Sequence, residues 1–356
     1  MELLLHRADL RLRHTFTIAH DSRDVQETLI VELRDGPLSG FGEATANPYY
    51  GITIDRMMED LGRVRDLIDT PWATAEELWD RLHNALVTNP FAQCAIDEAA
   101  HDLVAKRAEK PLYAHWGLDL TMPTHRTARP LTNFTIGMDT PDVMLAKMQE
   151  MPWPLYKIKL GGTPLEKPES DLAVLRLLRK HTNASFRVDA NCGWTVDQTL
   201  AFAPELVSLG VEFVEQPLPA DDWDGMAHLR HKLPQKLPAG AALPLIADES
   251  CITEADVARC AGYFDGINIK LTKCGGLTPA RRMIAEARQL GLRVMVGCMT
   301  ESSVGISAIA HLLPLLDYVD MDGSLLITND PATGVTFDFG VVNYVAANGT
   351  GAALHV

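Results

Sequence analysis

Charged residues end a series of short apolar runs in the second half of the sequence. Three acids end successive runs and lysines end the runs on either side of them, in the order Lys159, Asp189, Glu215, Asp248 and Lys270. One charge beyond an apolar run is ordinary, but three acids between two lysines predict a shared site. Carboxylates without histidine or cysteine favour Mg²⁺ over zinc. We therefore expect the three acids to bind one Mg²⁺ ion per subunit, with Mn²⁺ as a substitute.

The two lysines are suited to proton transfer next to a carboxylate. An ordinary lysine has a pKa of about 10.4 and is a poor base at neutral pH. Repulsion between ammonium groups, a divalent cation and partial desolvation all lower that pKa. One neutral lysine can then remove a proton while the opposite, protonated lysine returns one to the other face. Lys157 shares a strand face with Lys159, so we expect it to neutralise the same substrate carboxylate.

A second acidic pair ends the last apolar run. Asp320 and Asp322 are two residues apart and therefore lie on one face of a strand. We expect this pair to stand apart from the three carboxylates and to bind a cation of its own. The ammonium group of a substrate is the first candidate, and the alternatives are a second metal ion or a salt bridge to a loop lysine.

The apolar runs predict the element that positions these residues. Eight runs lie between residues 134 and 322, and 22 to 33 residues separate most of the polar residues that end them. Each interval has room for one helix, so the pattern predicts a closed parallel barrel with its active site at the carboxyl ends of the strands. A doubly wound open sheet is the alternative, but no Gly-x-Gly-x-x-Gly follows a first strand.

The residues before the barrel have a different pattern. Leu29 and Val31 alternate with Ile30 and Glu32 as in a half-buried strand, a turn is predicted over 34–37, and helical spacing follows. Strands followed by helices predict an α+β domain. We place this domain at residues 1–125, the barrel at 126–325, and a C-terminal segment at 326–356 that returns to the first domain.

Composition excludes several classes of function. The 356 residues are 47% hydrophobic, enough for a large core, and carry a net charge of −15, which argues against nucleic acid as a partner. No apolar run reaches the ~18 residues of a membrane span, and the start is not that of a secretory signal, so we expect a cytoplasmic protein. The six cysteines are scattered, which predicts free thiols. The oligomeric state stays open, and a homo-oligomer is among the possibilities.

Five motifs in order resemble the enolase superfamily, in its muconate-lactonizing subgroup. They are Lys157-Ile158-Lys159, Asp189-Ala190-Asn191, Glu215-Gln216-Pro217, Asp248-Glu249-Ser250 and the segment from Asn268 to Gly276. Gly40-Phe41-Gly42-Glu43 and Ala95-Ile96-Asp97 extend the resemblance to the first domain. The resemblance implies a (β/α)7β-type TIM barrel with an N-terminal α+β capping domain that the C-terminal tail completes. Within the subgroup, Asp320-Met321-Asp322-Gly323 resembles the Asp-x-Asp signature of dipeptide epimerases.

The resemblance also implies a role for each site residue. The metal ligands of the family fall on Asp189, Glu215 and Asp248, and its acid/base pair on Lys159 and Lys270. The aspartate pair would hold the N-terminal ammonium of a dipeptide. The residues that would contact the rest of the dipeptide are Thr135, Lys157 and Cys298. Capping-domain loops near residues 18–24 and 47–53 would close over the barrel and select the side chain.

One position departs from the Ala-Glu epimerases of the family. These carry an arginine in the first capping loop that binds the glutamate side chain, and the aligned residue here is Asp21. A carboxylate repels glutamate, so we expect a different second residue. Tyr49, Tyr50 and Ile52 favour an apolar side chain and Asp21 favours a cationic one, and the sequence does not separate the two. Other reactions of the subgroup also remain: o-succinylbenzoate synthesis, cycloisomerisation and N-acylamino acid racemisation. A non-catalytic metal- or ligand-binding barrel is a remote alternative.

Overall fold

The computed structural model describes residues 1–18, 21–120, 129–161 and 170–355. The predicted boundary between residues 125 and 126 lies outside the described residues, as do positions 19 and 20 of the first predicted loop. Among the helices of the described ranges, none combines the length and apolar composition that a membrane span requires.

Eight parallel strands form a nearly closed barrel, as the sequence predicts. They follow one another in chain order around the sheet, and a bridge between Thr132 and Val319 joins its two edges. All eight predicted strands are present, and the ends of each strand differ by at most two residues from the ends of the apolar run that predicts it. The strands are β4 (Phe134–Ile136), β5 (Leu155–Lys159), β6 (Ser185–Asp189), β7 (Val211–Glu215), β8 (Leu245–Ala247), β9 (Gly266–Lys270), β10 (Arg293–Gly297) and β11 (Tyr318–Asp320).

Helices cover the outside of the barrel because alternate residues of each strand point outward. In β5, Tyr156 and Ile158 belong to the apolar core, and the lysines at 157 and 159 alternate with them. The helices are α6 (Pro141–Glu150), α7 (Ser170–Arg179), α8 (Val196–Ser208), α9 (Trp223–Lys236), α10 (Glu254–Cys260), the single turn α11 (Leu271–Cys274), α12 (Leu277–Gln289) and α13 (Ser303–Ala310).

The N-terminal capping domain pairs an antiparallel sheet with helices. Its sheet contains β1 (Glu2–Ile18), β2 (Asp21–Asp35) and β3 (Leu38–Thr45). Leu29 and Val31 pack against the helices, which confirms the predicted alternation. Gly40 and Gly42 let β3 contact helix α4, since a Cβ atom at either position would lie 2.1 Å from a helix carbonyl oxygen. The helices are α1 (Ile54–Arg63), α2 (Arg65–Asp69), α3 (Ala75–Leu86), α4 (Pro90–Arg107) and α5 (Leu112–His115).

Buried polar contacts attach the capping domain to the barrel. The carboxylate of Asp97 accepts hydrogen bonds from the backbone N–H and the hydroxyl of Thr278, at 2.8 and 2.7 Å. The carboxylate of Glu43 accepts from the hydroxyl of Ser302 at 2.6 Å and from the N–H of Gly305 at 3.0 Å. Hydrogen-bonded pairs of this kind fix the orientation of the capping domain relative to the barrel, because separating the pairs would leave buried carboxyl groups without partners.

The C-terminal segment contacts the capping domain. It contains β12 (Ala332–Thr333), which pairs with β15 (Ala353–Leu354), and the hairpin β13 (Thr336–Asp338) and β14 (Val341–Asn343). Asp102 on helix α4 accepts from the N–H of Thr350 at 2.7 Å. The same segment also binds His311 of the barrel, whose Nε2 donates to the carbonyl oxygen of Thr350 at 3.1 Å.

His311 makes fold stability depend on pH. Its Nδ1 accepts from the backbone N–H of Tyr113 at 3.0 Å, a contact that only the neutral imidazole can make. Burial lowers its pKa from 6.5 to about 4. Since the unfolded chain takes up this proton first, the stability is complete above pH ~6.5 and is lost as the pH falls toward ~4. When the pH falls from 7.5 to 5, the unfolding free energy of wild type should decrease by about 2 kcal/mol more than that of His311→Gln.

Urea denaturation at the two pH values measures this difference. The exposed residue His355 supplies the control, because His355→Gln should retain the wild-type pH dependence. Parallel pH dependences for wild type and His311→Gln would show that the imidazole does not carry the effect.

Candidate active site

The barrel places the two predicted base lysines on opposite sides of its mouth. Lys159 ends β5 and Lys270 ends β9, and in the eight-stranded order these strands are four positions apart in either direction. The three predicted metal ligands lie between them on one side of the barrel. Asp189 ends β6, Glu215 ends β7, and Asp248 directly follows β8.

The three carboxylates are close enough to share one ion. One oxygen from each of Asp189, Glu215 and Asp248 lies within 4.8 Å of the others, and all three side chains are buried. Oε2 of Glu215 has no hydrogen-bond partner, although it is 2.8 Å from the ammonium of Lys157. A buried all-oxygen set with an unsatisfied oxygen fits a hard divalent cation.

The turn that follows β8 depends on Gln216, a residue of the Glu215-Gln216-Pro217 motif to which the sequence reasoning assigned no role. The side-chain oxygen of Gln216 accepts from the backbone N–H groups of Asp248 and Ser250, at 3.0 and 3.1 Å. Its amide nitrogen donates to the hydroxyl of Ser250 at 2.8 Å. Gln216 has φ +37°, a strained conformation held by these bonds. Its position next to Glu215, a predicted metal ligand, was the sequence feature that could have indicated this role.

Lys157 lies between the metal ligands and the second acidic pair. Its ammonium is 3.1 Å from Asp189, 2.8 Å from Glu215 and 2.9 Å from Asp320. Burial lowers the pKa of Lys157, but the charges of the surrounding carboxylates raise it by more, so the group stays protonated. The aspartate pair and the metal ligands therefore form two separate acidic clusters, and this ammonium lies between them.

The pKa of Lys270 is raised by the protein groups around it, whereas the divalent cation of the sequence argument would lower it. Burial lowers it and so does the charge of Lys157, but Asp248, whose Oδ2 is 3.6 Å away, raises it, and the net pKa lies above the ordinary value. The sequence argument counted the cation and the desolvation but not the negative ligands themselves. Protein carboxylates this close outweigh burial.

Residues at the first-strand edge of the sheet orient the aspartate pair, because barrel closure brings that edge next to the last strand. Asp320 accepts from the amide of Asn133 at 2.7 Å, and Asp322 accepts from the backbone N–H of Thr135 at 2.5 Å. Burial and the charge of Asp320 raise the pKa of Asp322 to about 8. Asn133 was missed, since it precedes the first barrel strand and its proximity to the last strand arises only on barrel closure.

A cavity of about 360 Å³ lies between the barrel mouth and the capping domain. Most predicted site residues line it, whereas Asp189, Glu215 and Lys157 lie deeper. The lining residues from the prediction are Asp21, Thr135, Lys159, Asp248, Lys270, Cys298, Asp320 and Asp322. The capping domain adds Phe16, Ile18, Arg23, Asn47, Pro48, Tyr49 and Tyr50.

Arg23 is a site residue that the sequence reasoning missed. It lines the cavity with Asp21, and its guanidinium pairs with the Asp21 carboxylate and with the side-chain oxygen of Gln26. Residues 21 and 23 of strand β2 share a face because their separation is two. That spacing was the available signal, and the pairing means that Asp21 does not present a free negative charge.

Two family models match the chain. Residues 143–351 match the enolase C-terminal domain-like family, and residues 2–117 match the N-terminal domain of mandelate racemase and muconate-lactonizing enzyme. The chain therefore belongs to the mandelate racemase/muconate-lactonizing family of the enolase superfamily. This confirms the family that the strand-end motifs predict.

Several relatives within this family are named epimerases. The chain is 54% identical to the L-Ala-D/L-amino acid epimerase of Flavobacterium johnsoniae, over 99% of this chain and 100% of that one. Its structure is similar to that of the substrate-liganded L-Ala-D/L-Glu epimerase from Bacillus subtilis, with a TM-score of 0.87, 26% identity and 99% coverage of both chains. A dipeptide epimerase from Methylococcus capsulatus complexed with Mg and L-Arg-D-Lys is also similar, with a TM-score of 0.85, 30% identity and 99% coverage of both.

Proposed function

We propose that this protein is a dipeptide epimerase that inverts the α-carbon of the C-terminal residue of its substrate. The observation that carries the proposal is the position of Lys159 and Lys270, on opposite sides of one cavity with three buried carboxylates between them. A carbon held at the centre of this cavity has one lysine on each face. The name of the Flavobacterium johnsoniae relative supports the same reaction class.

Mg²⁺ is the cofactor that the acidic set fits, and Mn²⁺ is expected to substitute. Asp189, Glu215 and Asp248 would hold it, as three buried oxygen ligands within 4.8 Å of one another. A bound Mg²⁺ would hold the substrate carboxylate and offset the negative charge that develops when the α-proton leaves. The Methylococcus capsulatus relative was crystallised with Mg, which supports the choice.

The lysines divide the proton transfer between two faces. Lys159 removes the α-proton from one epimer and Lys270 protonates the other face, and the roles reverse in the opposite direction. Lys157 is fixed as an ammonium among three carboxylates and does not exchange protons; its charge attracts the substrate carboxylate. Thr135 and Cys298 line the same cavity and would contact the remainder of the dipeptide.

Asp320 and Asp322 would bind the N-terminal ammonium of the dipeptide. Both line the cavity, burial leaves the charge of Asp320 poorly screened, and a bound ammonium would favour ionisation of Asp322. Asp320→Asn should lower kcat/KM for a free dipeptide about 100-fold, because a buried charge pair is lost. The same variant should change turnover of an N-acetylated dipeptide or an N-acylamino acid much less.

Steady-state kinetics with both substrate types measure this difference. Equal losses with free and acylated substrates would argue against an ammonium site. Retention of full activity on N-acylamino acids alone would favour the racemase alternative within the family.

The paired charges of Asp21 and Arg23 favour an uncharged second residue. A glutamate side chain would have to displace Asp21 from Arg23, and a lysine side chain would have to displace Arg23 from Asp21. The rest of this wall is mostly apolar or aromatic, with Phe16, Ile18 and Tyr50 beside one amide, that of Asn47. Of the two side-chain classes that the sequence left open, we therefore favour the apolar one.

A dipeptide panel in D₂O tests the function. Ala-Ala, Ala-Phe, Ala-Glu and Ala-Lys would be incubated with the protein and Mg²⁺, with deuterium uptake followed by mass spectrometry and inversion by polarimetry. We expect uptake at the α-carbon of the second residue, fastest with Ala-Ala and Ala-Phe. Absence of uptake with every dipeptide would refute the proposal, whereas a preference for Ala-Glu would refute only the side-chain assignment.

A further inference from the structure

Lys273 is a buried lysine beside the candidate metal site that the proposed proton transfer does not use. Its ammonium donates to the backbone carbonyl oxygen of Asp248 at 2.9 Å and to Oδ1 of the same residue at 2.5 Å. The residue is only 2% exposed. Within the described ranges, Asp248 is the carboxylate that pairs with it. Burying an ammonium costs free energy unless good partners compensate, and here both partners belong to one metal ligand.

Two contacts to a single aspartate restrict the orientation of its side chain. The ammonium of Lys273 links the main-chain and side-chain oxygens of Asp248, so rotation of the carboxylate would break one contact or both. Because Oδ1 is occupied, Oδ2 is the oxygen left for the ion, and it lies on the side of Lys270, 3.6 Å from that ammonium.

We propose that Lys273 is a positioning residue that holds Asp248 in the orientation in which Oδ2 binds the metal ion. The inference rests on the proposed function only in taking Asp189, Glu215 and Asp248 as ligands of Mg²⁺. It adds a residue that lines the cavity and acts on the ion through its two contacts with Asp248.

The position of Lys273 is itself held from the capping domain. Lys273 lies in the single turn α11. The residue that follows this turn is Gly275, whose φ of +97° is a conformation that favours glycine. The carbonyl oxygen of Gly275 accepts from the indole N–H of Trp79 on helix α3 at 2.8 Å. The chain of contacts therefore runs from the capping domain through this turn to a metal ligand, so docking of the cap supports the metal site.

Mg²⁺ titration of metal-stripped protein, followed by calorimetry, tests the proposal. Lys273→Met should weaken Mg²⁺ binding about 10-fold, in the range found for residues that orient metal ligands. A purely electrostatic role predicts the opposite sign, because removing a nearby positive charge favours a cation. Unchanged or tighter Mg²⁺ binding by Lys273→Met would overturn the proposal.

Lys106 supplies a matched control. Its ammonium also links a carbonyl oxygen and a carboxylate, those of Ser39 and Asp102, both at 2.7 Å, but within the capping domain. Lys106→Met should leave Mg²⁺ affinity within about twofold of wild type. A general loss of affinity in both variants would mean that destabilisation, and not orientation of Asp248, is responsible.

A second variant keeps the test decisive if Lys273→Met does not fold. Lys273→Arg retains the charge but replaces a compact ammonium by a planar guanidinium, which does not reproduce both contacts. We expect it to weaken Mg²⁺ binding several-fold, and wild-type affinity would refute the proposal. Mg²⁺ binding needs no substrate, so failure of the dipeptide assay alone would leave this result intact.

Discussion

Lys159→Met and Lys270→Met are each expected to lower the rate of epimerisation at least ~1000-fold, the contribution of a positioned acid or base. The loss should be one-sided. With one base removed, the remaining lysine still faces one side of the α-carbon, so the epimer that it serves should continue to exchange its α-proton with solvent. The two variants should therefore retain exchange with opposite epimers.

Proton NMR in D₂O measures this, starting separately from the L,L and L,D forms of one dipeptide. Both variants should fold, because each metal ligand keeps another ammonium: Asp189 retains Lys157 at 3.1 Å, and Asp248 retains Lys273. Circular dichroism and Mg²⁺ titration provide the control. Exchange retained with the same epimer in both variants would contradict the placement of the lysines on opposite faces.

Removal of the metal is expected to have an even larger effect. Chelation by EDTA should reduce epimerisation to background, a loss of at least ~10,000-fold, because a divalent cation would offset the second negative charge that develops beside the substrate carboxylate. Glu215→Gln should weaken Mg²⁺ binding by about 100-fold. Its activity should be negligible at low Mg²⁺ and should rise as Mg²⁺ is increased.

Glu215 retains one contact on substitution by glutamine, although an amide nitrogen in place of Oε2 would lie 2.8 Å from the ammonium of Lys157. Its Oε1 accepts from the amide of Asn268 at 2.8 Å, a contact that a glutamine oxygen can keep. Activity would be measured against Mg²⁺ and Mn²⁺ concentration after removal of EDTA, and either ion should restore the wild type. Full activity of the chelated protein would rule out a metal-dependent reaction.

The barrel was predictable because its strands are buried on both faces. A strand of this kind reads as a short, mostly apolar run, and most of the charged site residues lie where such a run ends. Lys159, Asp189, Glu215 and Lys270 each occupy the last position of a strand. Their order along the chain is also their order around the barrel, since successive parallel strands are neighbours.

The contacts among these residues were less predictable. Lys157 pairs with Asp320 across 163 positions of sequence, and Asn133 reaches the same aspartate because the barrel closes. The carboxylates beside Lys270 raise its pKa, a contribution that the sequence argument left out because it depends on distances of a few ångströms. Arg23 pairs with Asp21 in the cavity, which is why we favour the apolar of the two side-chain classes that the sequence left open.

The sequence by itself determined which residues end the barrel strands and hence which chemical groups meet at its mouth, because period and burial are local properties of each run. Only the tertiary structure decided which charges neutralise one another and which oxygens remain available. Those outcomes depend on contacts between strands far apart in the chain, and electrostatic interactions in a buried site change steeply with separation.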